Sequence, residues 1–200
     1  MIALLALLLA SVTQAGETRS LYLQLIHQAR ADGRPRAAIA YLDDFDRRYT
    51  GDGEARILRI NSLLDLGDIN AAEAAATHLP PDAAAIRGHL LAARGHWAAA
   101  VPFYRQAIAA SPADPPLRNA LGYALLRAGS PAEAAEALRA ALDLAPVDRT
   151  IRNNLLLALS LGGQRAEAET ILRQIRDGAG QEALRRQIAA ETARLSQKGS

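Results

Sequence analysis

An all-α array of about five helix-turn-helix hairpins is what this sequence predicts, and three observations predict it. Five times a glycine stands five residues ahead of an alanine inside helix-patterned sequence: Gly33/Ala38, Gly67/Ala72, Gly95/Ala100, Gly129/Ala134 and Gly163/Ala168. The glycines recur every 34 residues apart from one step of 28 between Gly67 and Gly95, a period of the length that stacked helical repeats use. Half of the residues are hydrophobic, mostly Ala and Leu, and only 4% are aromatic. That composition favours closely packed helices over strands.

Each element follows from one register. The glycine ends the first helix of a hairpin, where a residue without a Cβ takes the left-handed conformation at little cost. The alanine sits where the second helix crosses the first most closely. Residues 19–52 form a first, weaker repeat through Tyr22, Leu25, Ala29, Gly33, Ala38, Leu42 and Phe45. Residues 53–80 form a shortened one through Leu63, Gly67, Ala72 and Ala76. Its missing residues fall at the end of the second helix, so that helix is expected to be short. The Pro80–Pro81 pair is expected to mark a tight, irregular join with a change of local curvature.

Residues 81–114 fill the register with Gly88, Leu91, Gly95, Ala100, Tyr104, Ala107 and Pro112. Residues 115–148 fill it with Leu121, Gly122, Leu125, Gly129, Ala134, Leu138 and Ala141, and Pro146 stops the second helix. Residues 149–182 supply Leu155, Leu159, Gly163, Ala168, Leu172 and Ile175. A repeat array over 16–182 needs a finished end, because each hairpin buries its face only against its neighbours. Residues 183–197 read as that capping helix, with Leu184, Ile188 and Leu195 on one side and Glu182, Arg185, Arg186, Glu191 and Arg194 on the other, followed by a tail at 198–200.

The start of the chain differs in kind. Met1 to Ala10 is almost wholly Leu, Ala and Ile, Ser11 to Ala15 is small and mildly polar, and charge begins at Glu17. Such a run is short for a bilayer span, which takes about 20 residues. It fits the apolar region of a secretory signal over 1–15, with Thr13-Gln14-Ala15 as the cleavage site. Export, to the periplasm of a bacterium, is the expectation, with no integral span left after signal removal. The alternative is a hydrophobic helix packed on the first repeat.

Charge and chemistry narrow the function classes. A net charge of +2 and few aromatics give neither the electrostatic footprint nor the stacking platform of a nucleic-acid binder. With no cysteine there are no disulfides, thiolate metal sites or lipidated Cys. His27, His78, His89 and His96 show no pairing at metal-ligand spacing, so no metal site and no cofactor are expected. Asp43, Asp44 and Asp46 read as a solvated helix end rather than an acid/base pair. Trp97, just past the turn at Gly95, reads as an aromatic packed between helices. No catalytic constellation emerges, and binding is the first reading.

In period and in the Gly/Ala register the chain resembles the tetratricopeptide repeat family over nearly all of its mature length. It departs from the family's first-helix Trp, which is Arg118 in one repeat and Arg152 in the next. The resemblance implies a groove lined by first helices that takes protein or peptide ligands. Carried over by register, its lining is Gln24, His27 and Arg30, then Asn61 and Leu64, then Ile86 and His89, then Asn119, Tyr123 and Arg127, and finally Asn153, Asn154 and Leu157. Asn side chains offer a donor and an acceptor and can hold a peptide backbone. Helix-start capping or a solvated face is the competing account of Asn119 and Asn153. No Lys/Arg set matches a clamp for acidic C-terminal tails.

A narrower resemblance lies in the stretches Asn119 to Gly129 and Ile151 to Gly163. Together with the export signal they look like the TadD-type repeat proteins of tight-adherence (Flp) pilus assembly, and less closely like secretin-assisting repeat proteins and periplasmic cytochrome c maturation factors. This implies a non-catalytic adaptor whose partner is an outer-membrane secretin or pilus component. A general periplasmic protein-binding module, and an enzyme or a regulatory subunit of something else, remain the alternatives.

Overall fold

The computed structural model describes residues 2–77, 79–80, 83–175 and 178–198, with side chains between 16 and 195. Among the described residues there are helices and no strand: α1 (Ile2–Ala31), α2 (Pro35–Asp46), α3 (Gly53–Asp65), α4 (Ile69–Ala75), α5 (Ala84–Ala93), α6 (Trp97–Ala110), α7 (Pro115–Arg127), α8 (Pro131–Leu144), α9 (Arg149–Leu161), α10 (Arg165–Arg173) and α11 (Gly178–Lys198). They fall into two compact units, residues 1–80 and 81–200. The five expected turn glycines all have positive φ, from 67° at Gly33 to 85° at Gly129. The hairpin register of the sequence is therefore the register of the fold.

The first unit stacks the hairpins α1/α2 and α3/α4. Ile26, Ala38, Leu42 and Phe45 are fully buried in its core. Asp52 and Asp68 start α3 and α4 by accepting the backbone N–H of Ala55 and Ala71 at 3.0 and 3.1 Å, which satisfies donors that a helix start leaves open. As the shortened repeat requires, α4 is one short helix. The expected Pro80–Pro81 join cannot be followed through Pro81, which lies outside the described residues, as do His78 and Asp82.

Two sequence expectations are corrected here. Leu25, expected inside, is 51% exposed, and Leu23 and Ile26 point inward instead. α1 meets the core through Leu23, Ile26 and Ala29, and Leu25 falls off that stripe. The acidic run is not simply solvated: Asp43 and Asp46 both accept from Arg59 of α3, at 2.8 and 2.9 Å, and Asp44 accepts from the Tyr22 hydroxyl and from Arg47. Tyr22 in turn meets Phe45 edge-on. The first helix, α1, runs unbroken from Ile2 to Ala31.

The second unit stacks α5/α6, α7/α8 and α9/α10 and adds α11. Asp114 and Asp148 cap α7 and α9, and Pro131 opens α8 at a position where a missing N–H costs nothing. Ala100, Ala134 and Leu138 are fully buried at the crossings. Arg118, in the place of the family's Trp, donates twice to the Pro112 carbonyl at 3.0 and 2.8 Å and so ties the α6–α7 link. Second helices are laced by Arg105–Glu133 and Arg139–Glu167, both 2.7 Å.

The capping helix α11 starts at Gly178, earlier than expected, and includes Lys198, which was expected in a tail. It packs chiefly on α9. Its apolar side behaves as expected: Ile188 is buried, and Leu184 and Leu195 pack on the same core. Its other side is not left wholly to solvent, because Arg185 holds Glu169 of α10 at 2.8 Å and Glu191 is half-buried.

Candidate protein-binding face

The candidate residues form two sets, one in each unit. In the first unit Gln24 and His27 of α1 are exposed, while Arg30 of α1 and Asn61 and Leu64 of α3 are half-buried. Arg30 Nε donates to Asp65 Oδ2 at 2.9 Å, and His27 Nε2 lies 3.8 Å from Glu54 Oε1. Earlier on α1, Arg19 reaches Asp52 at 2.8 Å and Glu54 at 3.1 Å. The Arg19 guanidinium holds the Asp52 carboxyl below the usual carboxylate range. Basic groups of one first helix thus meet acids of the next, and His27, Arg30 and Asp65 rim an open pocket of about 560 Å³.

In the second unit the helices α5, α7 and α9 carry the rest. His89 lies against the Tyr104 ring, with centroids 5.5 Å apart. Burial pushes the Tyr104 hydroxyl far above its ordinary pKa, so it stays protonated. Asn119 and Asn154, on neighbouring first helices, bond to each other: Asn154 Nδ2 donates to Asn119 Oδ1 at 2.9 Å. Asn153, the residue in register with Asn119, has its Oδ1 buried and without a hydrogen-bond partner.

Tyr123 and Arg127 of α7 build a stack with Trp97 of α6. The Tyr123 and Trp97 rings meet edge to face, with centroids 5.6 Å apart. Arg127 sits over Trp97 at 4.6 Å from the ring centroid and donates to the Tyr123 hydroxyl at 3.2 Å. A cation over an aromatic face is held by the ring quadrupole, so the stack is a firm, amphipathic patch. Trp97 is packed between helices as the sequence suggested, although it remains half-exposed.

Two expected lining residues belong to the core instead. Ile86 is 3% and Leu157 6% exposed. Leu157 does lie on the first-helix face, but α11 covers it. Tyr123, Asn153, Asn154 and Leu157 form one wall of a cleft of about 180 Å³ whose other wall is Leu184, Gln187, Ile188 and Glu191 of α11. Sequence reasoning missed the α11 residues as part of this face. Their signal was present in the Leu184/Ile188 stripe, which announces a buried side but not the neighbour it is buried against.

Among the described residues no group of three or more His, Cys, Asp or Glu could hold a metal ion, and no helix is long and apolar enough to cross a membrane. Two family models described as tetratricopeptide repeat match residues 57–115 and 91–148. Residues 57–148 carry tetratricopeptide repeats. Solved structures agree on the fold. A thermophilic tetratricopeptide repeat protein of Thermus thermophilus superposes with a TM-score of 0.69 at 22% identity, over 86% of this chain and 97% of that one. MamA from residue 41 onward, of Desulfovibrio magneticus RS-1, does so with a TM-score of 0.57 at 23% identity, over 84% and 96%. MamA of strain MSR-1 covers 92% of this chain and 99% of its own at 18% identity, with a TM-score of 0.54. No curated protein matches the chain in sequence.

Proposed function

We propose that this chain is a non-catalytic protein-binding scaffold of the bacterial envelope, acting as an adaptor in the assembly of a tight-adherence (Flp) pilus or its outer-membrane secretin. The observation that carries the binding reading is the first-helix face of α7 and α9. There a tyrosine held by Trp97 and Arg127, Asn154 bonded to Asn119 beside it, and an unpaired Asn153 acceptor come together, with Tyr123, Asn153 and Asn154 lining one cleft. Aromatic anchors beside hydrogen-bonding groups are what protein interfaces concentrate their binding energy in, and a row of first helices is suited to a helical or extended segment.

The placement in the envelope is supported by the apolar run Met1 to Ala10 and its small-residue end. The pilus is supported by the likeness of Asn119 to Gly129 and Ile151 to Gly163, which span most of α7 and α9 and the turns after them. Deleting the gene tests this: loss of piliation, restored by the wild-type chain but not by Tyr123→Ala with Asn154→Ala, is the expected result. Normal piliation in the deletion strain removes the pilus role and leaves a general periplasmic binding module.

A further inference from the structure

The C-terminal helix does more than finish the stack. Its inner side faces Tyr123 of α7 and Asn153, Asn154 and Leu157 of α9, the residues that the first-helix face offers to a partner. It lies there as a bound helix would lie, with apolar residues one turn apart at Leu184 and Ile188 and polar Gln187 and Glu191 between and beyond them.

The fit is incomplete on both flanks. On the α9 side the Asn153 Oδ1 is buried and receives no hydrogen bond, which disfavours the closed arrangement. On the α10 side a largely apolar cleft of about 560 Å³ separates the helices, between Leu156, Ala168 and Leu172 on one wall and Ile188, Ala189 and Ala193 on the other. Arg185 and Glu169 pair across that cleft, and exposed pairs of this kind hold weakly. Ala183, Ala189 and Ala190 of α11 stay exposed, so much of its small apolar surface gains nothing by docking.

We propose that α11 is a displaceable occupant of a helix-binding groove on α7 and α9. The partner this groove takes is an amphipathic helix with the same apolar spacing, larger side chains toward α10 and a donor opposite Asn153. Such a helix fills the cleft and satisfies the acceptor, and both gains drive α11 out. The inference rests on the scaffold reading for the use of the groove, but its test needs no envelope partner, so the two can fail separately.

The probe is a fluorescein-labelled peptide of residues 178–198, titrated into the full chain and into full-length Leu184→Asp/Ile188→Asp, in which the resident helix is weakened. Binding at least tenfold tighter to the variant than to the wild type is expected, and adding Tyr123→Ala to the variant should weaken it at least tenfold. Trp97, the single tryptophan, touches Tyr123 and reports the exchange natively through its emission. Equal binding to both chains, or none to a variant whose helicity is intact, overturns the proposal. Hydrogen exchange on the unaltered chain is independent of the variant: α11 amides should exchange at least tenfold faster than those of α9, and equal protection contradicts displacement. Exchange of α11 between two copies, seen as a dimer by light scattering, would assign the groove to self-association and overturn the partner helix.

Discussion

A Cβ placed on Gly122 would stand 2.4 Å from Cγ of Leu138. Leu138 is fully buried in α8, and the missing side chain on α7 is the space it fills. The neighbouring hairpin repeats the arrangement with Gly88, whose added Cβ would meet the Tyr104 ring at 2.8 Å. Small faces large across these two crossings, and the two hairpins close because of it.

Gly122→Ala should therefore overpack α7 against α8 and cost about 1–3 kcal/mol, despite the better helix propensity of alanine. Arg186→Ala on the exposed side of α11 should stay within about 0.5 kcal/mol. Urea denaturation of the two variants checks the order, and an equal effect would contradict the packing.

The turn glycines make a test of opposite sign. Gly129 has φ +85° with open space around its Cα, so Gly129→Ala suffers only from the backbone and should lose about 1–2 kcal/mol. Gly53 opens α3 without a positive φ and with open space around it. Gly53→Ala should gain about 0.4–1 kcal/mol by restricting the unfolded chain. Thermal melts showing both changes with one sign would contradict the assignment of the hairpin turns.

Acid should loosen the array through its inter-helix carboxylates. The Arg139 guanidinium holds Glu167 below the usual carboxylate range, Arg185 does so for Glu169, and Arg19 for Asp52. A carboxylate whose folded pKa is depressed stabilises the fold above its unfolded pKa, about 4. That contribution is lost as pH falls through the folded value. Stability should decline below about pH 4, and Arg139→Met should make the decline shallower, as read by denaturation at a series of pH values. An unchanged acid limb would show that these pairs do not couple to folding.

How far the sequence reached can be told from the same residues. Gly95, Gly129 and Gly163 and the alanines after them could be read because turn chemistry and close crossing demand particular residue types at fixed spacing. The caps Asp52, Asp114 and Asp148 rest on equally local chemistry but were seen only in the structure. The stack of Trp97, Tyr123 and Arg127 could not be read, because it joins residues of two hairpins whose side chains meet only through packing. Nor could the Arg59 clamp on Asp43 and Asp46, since a charge run looks the same whether water or an arginine answers it. The site of α11 docking was hidden for a related reason: an apolar stripe fixes which side is buried and leaves the neighbour open.

Binding should depend on the first-helix face of α7 and α9. Changing Asn119, Tyr123, Asn153 or Asn154 to Ala should weaken capture of the envelope partner by about 1–2 kcal/mol each, with Tyr123 the largest because it offers the most area. Titration of each purified variant measures this, with circular dichroism to confirm folding. Unchanged affinity in the quadruple variant would move the site off this face.

The central claim, that the first-helix face of α7 and α9 captures a protein of the envelope, is tested most directly by site-specific photo-crosslinking in the producing cells. A photoreactive residue in place of Asn119 samples that face, and one in place of Glu136, exposed on α8, samples the second-helix side. The account predicts a discrete adduct at position 119, identified by mass spectrometry as a secretin or pilus component, and none at 136. Adducts at 136 alone, or at neither position in folded protein, would contradict it.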